Sequence, residues 1–222
     1  MPAATLEVHY KLFGTDGVSL QSQELTGELR RRGWTVHPCA CDVPEGAEGL
    51  RIPALSYQSA EAVALRGWVF PGRAERAAAS QPTDGSGLLE QIEARAAAIR
   101  AEVEEYIDAR DIAVVHVRNL MSLPYNLPAT LAFYGLAVDR PDIGFLMQHH
   151  DLYWEGPNSR TFETPHPEVV DLMERIMCPD LPNARHTLIN PIAADALRER
   201  RHLDGTVIPD GFDFDRDVAA LD

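Results

Sequence analysis

Most residues that could do chemistry in this 222-residue chain fall in a few short segments. Gly14-Thr15-Asp16-Gly17-Val18-Ser19 places two glycines and an acid just before a run of helical period. Such a turn at a helix start offers backbone N–H groups and the positive end of the helix dipole, a setting that suits an anion. A strand-to-helix turn that needs glycine only for its own backbone has the same composition. The segment is not GxGxxG and no Gly-Lys-Ser/Thr follows, so neither a dinucleotide fingerprint nor a P-loop is indicated.

The second segment is His149-His150-Asp151, followed by Tyr153-Trp154-Glu155-Gly156. A histidine at a strand end can donate hydrogen bonds or exchange protons near neutral pH. His149 or His150 could equally serve backbone groups. A metal site would need His116, His149, His150 and Asp151 to converge. Neighbours in an extended chain point to opposite faces, and HxH and HExxH spacings are absent, so no metal is expected. Tyr153 and Trp154 beside polar groups suit a sugar face or ordinary loop packing, and Asn119 is a lone hydrogen-bonding candidate. Cys39-Ala40-Cys41 puts two thiols on one face of a strand, which fits a metal or redox pair or small buried residues. With Cys178 the count is three, which makes no disulfide framework and suits a reducing cytoplasm.

The elements that must position these residues alternate. Strand-length apolar runs are read at Leu6–Phe13, Trp34–Cys39, Leu50–Tyr57, Ile112–Val117, Ile143–Met147, Thr187–Asn190 and Gly205–Pro209. Between them, helical periods are read at Val18–Arg32, Val63–Phe70, Leu88–Ala109, Leu127–Ala137, Pro167–Met177 and Ile192–Arg201. The helix over Leu88–Ala109 reads as a long surface helix, with Glu102, Glu104 and Glu105 on a solvated face. Ser80–Gly87 is a loop by composition. Strand–helix alternation predicts an α/β domain with a mostly parallel sheet. Ligands of such sheets bind outside the carboxyl ends of the strands. Those ends are Gly14–Ser19, His116–Asn119, His149–Asp151 and Pro209–Asp213.

Bulk properties exclude several partners. A net charge of −14, from 34 acidic and 20 basic residues, argues against a nucleic-acid partner. No stretch approaches the ~20 apolar residues of a membrane span, and Met1–Thr5 has no signal-peptide character. A cytoplasmic location is expected.

In chain order, the motifs resemble the N-terminal domain of family-4-type retaining glycosyltransferases of the GT-B fold. Thr15-Asp16-Gly17-Val18-Ser19-Leu20, Leu25, Leu29 and Arg32-Gly33-Trp34-Thr35-Val36 are similar to the family's first βαβ unit, with Trp34 where histidine is usual. His116-Val117-Arg118-Asn119-Leu120, with Leu123-Pro124 and Asn126-Leu127-Pro128, resembles its His-x-His-Asn segment. Gln148–Glu155 resembles its strand-end His-Asp motif, and Ile208-Pro209-Asp210-Gly211-Phe212-Asp213-Phe214 its Pro-Asn-Gly-Val-Asp segment.

The resemblance implies a Rossmann-like three-layer domain over residues 1–214, with residues 215–222 as an interdomain linker or tail. It implies a nucleotide-sugar donor whose diphosphate and sugar approach Gly14, Asp16, Gly17 and Val18. His150 and Asp151 take the catalytic positions, and Ser19, Asn119, Tyr153 and Trp154 the side of an unknown acceptor. No cofactor is implied, and a homo-oligomer is compatible with the sequence. The family's second domain, with its Glu-x(7)-Glu motif, has no counterpart in these residues. The chain is therefore expected to be a fragment of a longer enzyme or one subunit of a split transferase, with negligible activity alone. Two alternatives are a non-catalytic acceptor-binding subunit and an unrelated metal-dependent α/β hydrolase using the histidines named above.

Overall fold

The computed structural model describes residues 3–72 and 85–209, the side chain of residue 86 excepted. Residues 80–84 of the expected loop, the strand end after Pro209, the Asp210–Phe214 motif and the tail over 215–222 lie outside the described residues. Seven strands form one sheet: β1 (Ala4–Val8), β2 (Thr35–Ala40), β3 (Leu50–Arg51), β4 (Ile112–Arg118), β5 (Gly144–His149), β6 (Ala184–Leu188) and β7 (Gly205–Val207). The helices are α1 (Gly17–Arg31), α2 (Ala60–Val69), α3 (Gly85–Arg110), α4 (Leu127–Asp139), α5 (Asn158–Thr161), α6 (Pro167–Ile176) and α7 (Pro191–Arg201).

The spatial order is β3-β2-β1-β4-β5-β6-β7, and every neighbouring pair is parallel. The chain steps outward from β1 to β3, then crosses back to lay β4 against the other side of β1. The order reverses there, so the crevice above β1 and β4 is the topological switch point of this Rossmann-like α/β fold.

Local chemistry sets the helix ends. Asp16, Ser59, Asn126 and Asn190 each accept a backbone N–H of the first turn, at α1, α2, α4 and α7. Pro128, Pro167 and Pro191 occupy first turns, where a missing N–H costs nothing. Gly33, at φ 86°, turns the chain out of α1 into β2 in the left-handed conformation glycine tolerates.

The two faces of the sheet differ. On one, Leu6, Val8, Val115, Val117 and Met147 pack against Ile99, Val103 and Ile107 of α3 and Phe133 and Leu136 of α4. Side chains alternate along a strand, so Glu7, His116, Arg118 and Gln148 lie on the other face, where Gln21 of α1 meets them.

Several boundaries differ from the sequence expectation, each for a local reason. The first strand ends at Val8; His9 N and Tyr10 O still pair with Cys39 and Cys41, but the N–H groups of Leu12 and Phe13 go to the Asp42 carboxylate, so no strand runs on to Phe13. The third strand keeps two residues, because Pro53 lacks a donor and the chain turns into a 3-10 helix over Pro53–Leu55. The helix expected on the surface buries Leu88, Ile92, Ile99, Val103 and Ile107, while Glu102 and Glu105 face solvent as anticipated. The short α5 carried no clear periodicity.

Candidate functional site

The turn after β1 is held from several sides. His9 Nδ1 lies 2.6 Å from the Lys11 carbonyl, and the Asp42 carboxylate accepts from Leu12 N at 2.8 Å and Phe13 N at 2.9 Å. At Gly14 a Cβ would come within 2.5 Å of the Lys11 side chain and 2.6 Å of Asp16 Oδ2, so a larger residue there would have to push these side-chain ends aside. Asp16 caps α1: its carboxylate accepts from Ser19 N at 3.1 Å and from Ser19 Oγ at 2.9 Å. Partial burial would raise the Asp16 carboxyl, yet the bonds from Ser19 and Lys11 hold it below the usual range. Gly17 and Val18 open the helix, and a Cβ at Gly17 would enter open space. The exposed rings and chains of Phe13 and Leu20 flank this turn.

The carboxyl ends of β4 and β5 meet beside it. Asn119 adopts φ 57°, a left-handed conformation that asparagine tolerates better than most residues. There its N–H donates to the Gln148 carbonyl at 2.8 Å, and its Oδ1 accepts from His150 N at 2.8 Å. The His150 ring reaches toward α1, with Nε2 3.0 Å from Gln21 Oε1.

Beneath His150 runs a buried polar layer. Glu7 accepts from His116 Nδ1 at 2.9 Å and from Arg118 Nε. His116 Nε2 lies 3.0 Å from Gln148 Oε1, and Gln148 Nε2 donates to Gln21 Oε1 at 3.2 Å. Arg118 Nη1 donates to the same Gln21 oxygen, while Arg118 Nη2 is buried without a partner among the described residues. Burial alone would raise the Glu7 carboxyl. The adjacent His116 and Arg118 charges and their hydrogen bonds override it and bring it down to about 2.

The three imidazoles of the hydrolase alternative point to different places. His116 faces Glu7 and Gln148, His150 faces Gln21, and His149 turns to the opposite side of β5. His149 Nε2 lies 2.9 Å from His186 Nδ1, and His186 Nε2 lies 3.1 Å from the Pro179 carbonyl. Only an N–H can face a carbonyl, so His186 donates from Nε2, and its Nδ1 accepts from His149. Burial, then the His186 and His150 charges, hold His149 well below an ordinary histidine. Among the described residues no group of three or more His, Cys, Asp or Glu is arranged to hold a metal ion.

Other candidates fall outside this group. Ser19 is fully buried beneath Asp16. Asp151 is exposed next to His150. Tyr153 is buried in the α6 side of the core, its hydroxyl donating to Glu174 Oε1 at 3.4 Å, and its ring meets Trp154 edge-on at 4.9 Å. Trp154 is half-buried, with Nε1 enclosed and unpartnered among the described residues. Cys39 and Cys178 are buried and Cys41 is half-buried. Burial raises all three thiols, that of Cys178 to about 12, so they are poor nucleophiles. Glu7, Gln21 and Asp42 belong to none of the motifs that the sequence displays. Glu7 had a signal: a carboxylate between Leu6 and Val8 in a strand otherwise fit for full burial.

No protein-family model matches the chain. Mannosylglucosylglycerate synthase of Thermotoga maritima is 26% identical over 217 residues, which are 96% of this chain and 46% of that protein. The protein of the same name from Petrotoga mobilis is 27% identical over 210 residues, 94% of this chain and 45% of its own. The chain thus spans about half the length of the curated relatives it matches. A solved glycosyltransferase structure from Rickettsia africae superposes with a TM-score of 0.52 at 18% identity, over 96% of this chain and 44% of that one. The structural likeness speaks to the fold, and the sequence likeness is to the two synthases.

Proposed function

We propose that the chain is the acceptor-side domain of a retaining glycosyltransferase of the GT-B type, moving a sugar from a nucleotide-sugar donor. The observation that carries this reading is the placement of His150. Asn119 and Gln21 hold it at the carboxyl end of β5, beside the switch point and next to the turn that opens α1. Similarity to two sugar-transferring synthases over nearly the whole chain supports it.

In this reading the donor diphosphate approaches Gly14, Asp16, Gly17 and Val18, where the start of α1 favours negative charge. His150 contacts the transferred sugar, and Asp151 borders it. Ser19, Asn119 and Tyr153 act through the surfaces they shape, since Ser19 Oγ, Asn119 Oδ1 and Tyr153 Oη are engaged within the protein. Trp154 borders the acceptor. The relatives' name joins mannosyl, glucosyl and glycerate units, so a small glycerate-containing sugar acid is the acceptor class proposed. A donor-binding half, in the same polypeptide or a separate chain, grips the leaving diphosphate and stabilises its developing charge.

The test is a transfer assay with a panel of nucleoside-diphosphate sugars and a sugar-acid acceptor. The 222 residues alone should give negligible transfer. Together with the donor-binding half they should give a product whose anomeric configuration, read by NMR, matches the donor's. Inversion, or full activity of the 222 residues alone, would overturn the assignment.

A further inference from the structure

We infer that Gln21 is a positioning residue: its side-chain oxygen, oriented by Arg118, fixes the His150 ring as an Nε2–H donor.

The hydrogen-bond roles follow one from another. Arginine has donors and no acceptor, so the Gln21 atom facing Arg118 Nη1 must be the amide oxygen. That oxygen also faces His150 Nε2 at 3.0 Å and Gln148 Nε2 at 3.2 Å, and both must donate to it. A neutral His150 is therefore held as the Nε2–H tautomer. The same constraint turns the Gln148 oxygen toward His116 Nε2, 3.0 Å away, so that nitrogen donates as well. His116 Nδ1 donates to the Glu7 carboxylate at 2.9 Å. Both His116 nitrogens are thus donors, and no amide in the chain can flip without facing like with like.

The arrangement is long in sequence and short in space. It joins β1, α1, β4 and β5 across the switch point, and both ends are buried charges whose directions cannot change. Arg118 and Glu7 are fully enclosed. Asn119 fixes the backbone of His150 and Gln21 fixes its ring, so two separate anchors define where its proton points. The catalytic meaning of this anchoring rests on the glycosyltransferase reading, but the tautomer does not.

The test needs no substrate, so its failure is separate from failure of that reading. The chain is labelled with 15N-histidine, and two-bond 1H–15N correlations assign each ring at a pH where His150 is neutral. The wild type should show His150 as Nε2–H and His116 with both nitrogens protonated. Gln21→Met, similar in size but lacking the acceptor, should leave His150 a mixture of tautomers. Gln21→Glu, which keeps an acceptor, should restore the single Nε2–H form. A wild-type His150 in the Nδ1–H form, or a His116 with one bare nitrogen, overturns the inference without any variant. So does a folded Gln21→Met protein in which His150 keeps a single Nε2–H tautomer.

Discussion

Glu7 and Arg118 stand on adjacent strands, β1 and β4, and form an ion pair in which neither side chain reaches solvent. Taking two charges out of water costs several kcal/mol per ion, and pairing alone often fails to recover it. Here His116 gives Glu7 a second donor and Gln21 gives Arg118 a second acceptor. A parallel sheet covered on both faces usually has apolar strands. The departure occurs at the switch point, where a ligand crevice is expected, and it supports His150 from below.

The pair should be far more costly to break than to have. Glu7→Ala leaves Arg118 and His116 buried without their acceptor, and should destabilise the fold by ~3–5 kcal/mol. Urea unfolding of the two proteins measures it. A loss under ~1 kcal/mol would mean that Arg118 finds another partner.

Acid should act through the same carboxylate. Its folded value of about 2 lies below the ordinary 4.5, so the folded state favours the ionised form. The resulting stability is complete above the ordinary value and drains away as pH falls through it toward about 2. A gap of this size corresponds to ~3 kcal/mol. Stability measured through that window should fall steeply in the wild type, and Glu7→Gln should flatten the fall.

His149 should add a second slope, at higher pH. Its folded value is depressed by burial first and by His186 and His150 next, so the unfolded chain takes up its proton earlier as pH drops. Stability should begin to decline as pH falls through the ordinary histidine value of 6.5. His149→Leu should remove part of that slope while losing the bond to His186. If the variant keeps the wild-type slope between about pH 6.5 and 5, another group carries it.

Asparagine 119 combines two demands that a substitution separates. Asn119→Gly keeps the left-handed φ of 57° but loses the acceptor for His150 N. Asn119→Ala loses both, adding ~1–2 kcal/mol of backbone strain. Alanine should therefore melt below glycine, and both below the wild type. Equal melting points for the two variants would show that the φ is not a constraint.

Much of the scaffold was legible because it depends on local pattern. The strand–turn–helix of β1 and α1 announces itself through Gly14, Asp16 and Gly33, and the parallel sheet through alternation of apolar and helical runs. Placing His150 at a strand end required only the end of β5. Its partners were not legible. Gln21 lies in the second turn of α1 with nothing in its neighbours to mark it, and it meets Gln148 and His150 from 127 and 129 residues away. Asp42 likewise holds Leu12 and Phe13 from 30 and 29 residues away. For Tyr153 composition leaves a sugar face and ordinary packing equally open, and its packing against α6 lies in the tertiary structure alone.

The most informative substitution is His150→Ala, because its two anchors make stability and catalysis separable. The backbone of His150 is tied by Asn119 Oδ1 at 2.8 Å, a bond that survives loss of the ring. The ring itself is half-buried and donates to Gln21, whose oxygen keeps Arg118 and Gln148 as donors. Losing that bond should cost ~0.5–1.5 kcal/mol. If the ring contacts the sugar as charge develops, losing that contact should slow kcat by ~10²–10³-fold. A merely structural ring would instead lower the melting temperature and raise KM while leaving kcat close to normal. Melting and steady-state kinetics on one active preparation, carrying both halves of the enzyme, separate the two. A near-normal kcat would remove His150 from the reacting centre and leave Asp151 as the strand-end candidate.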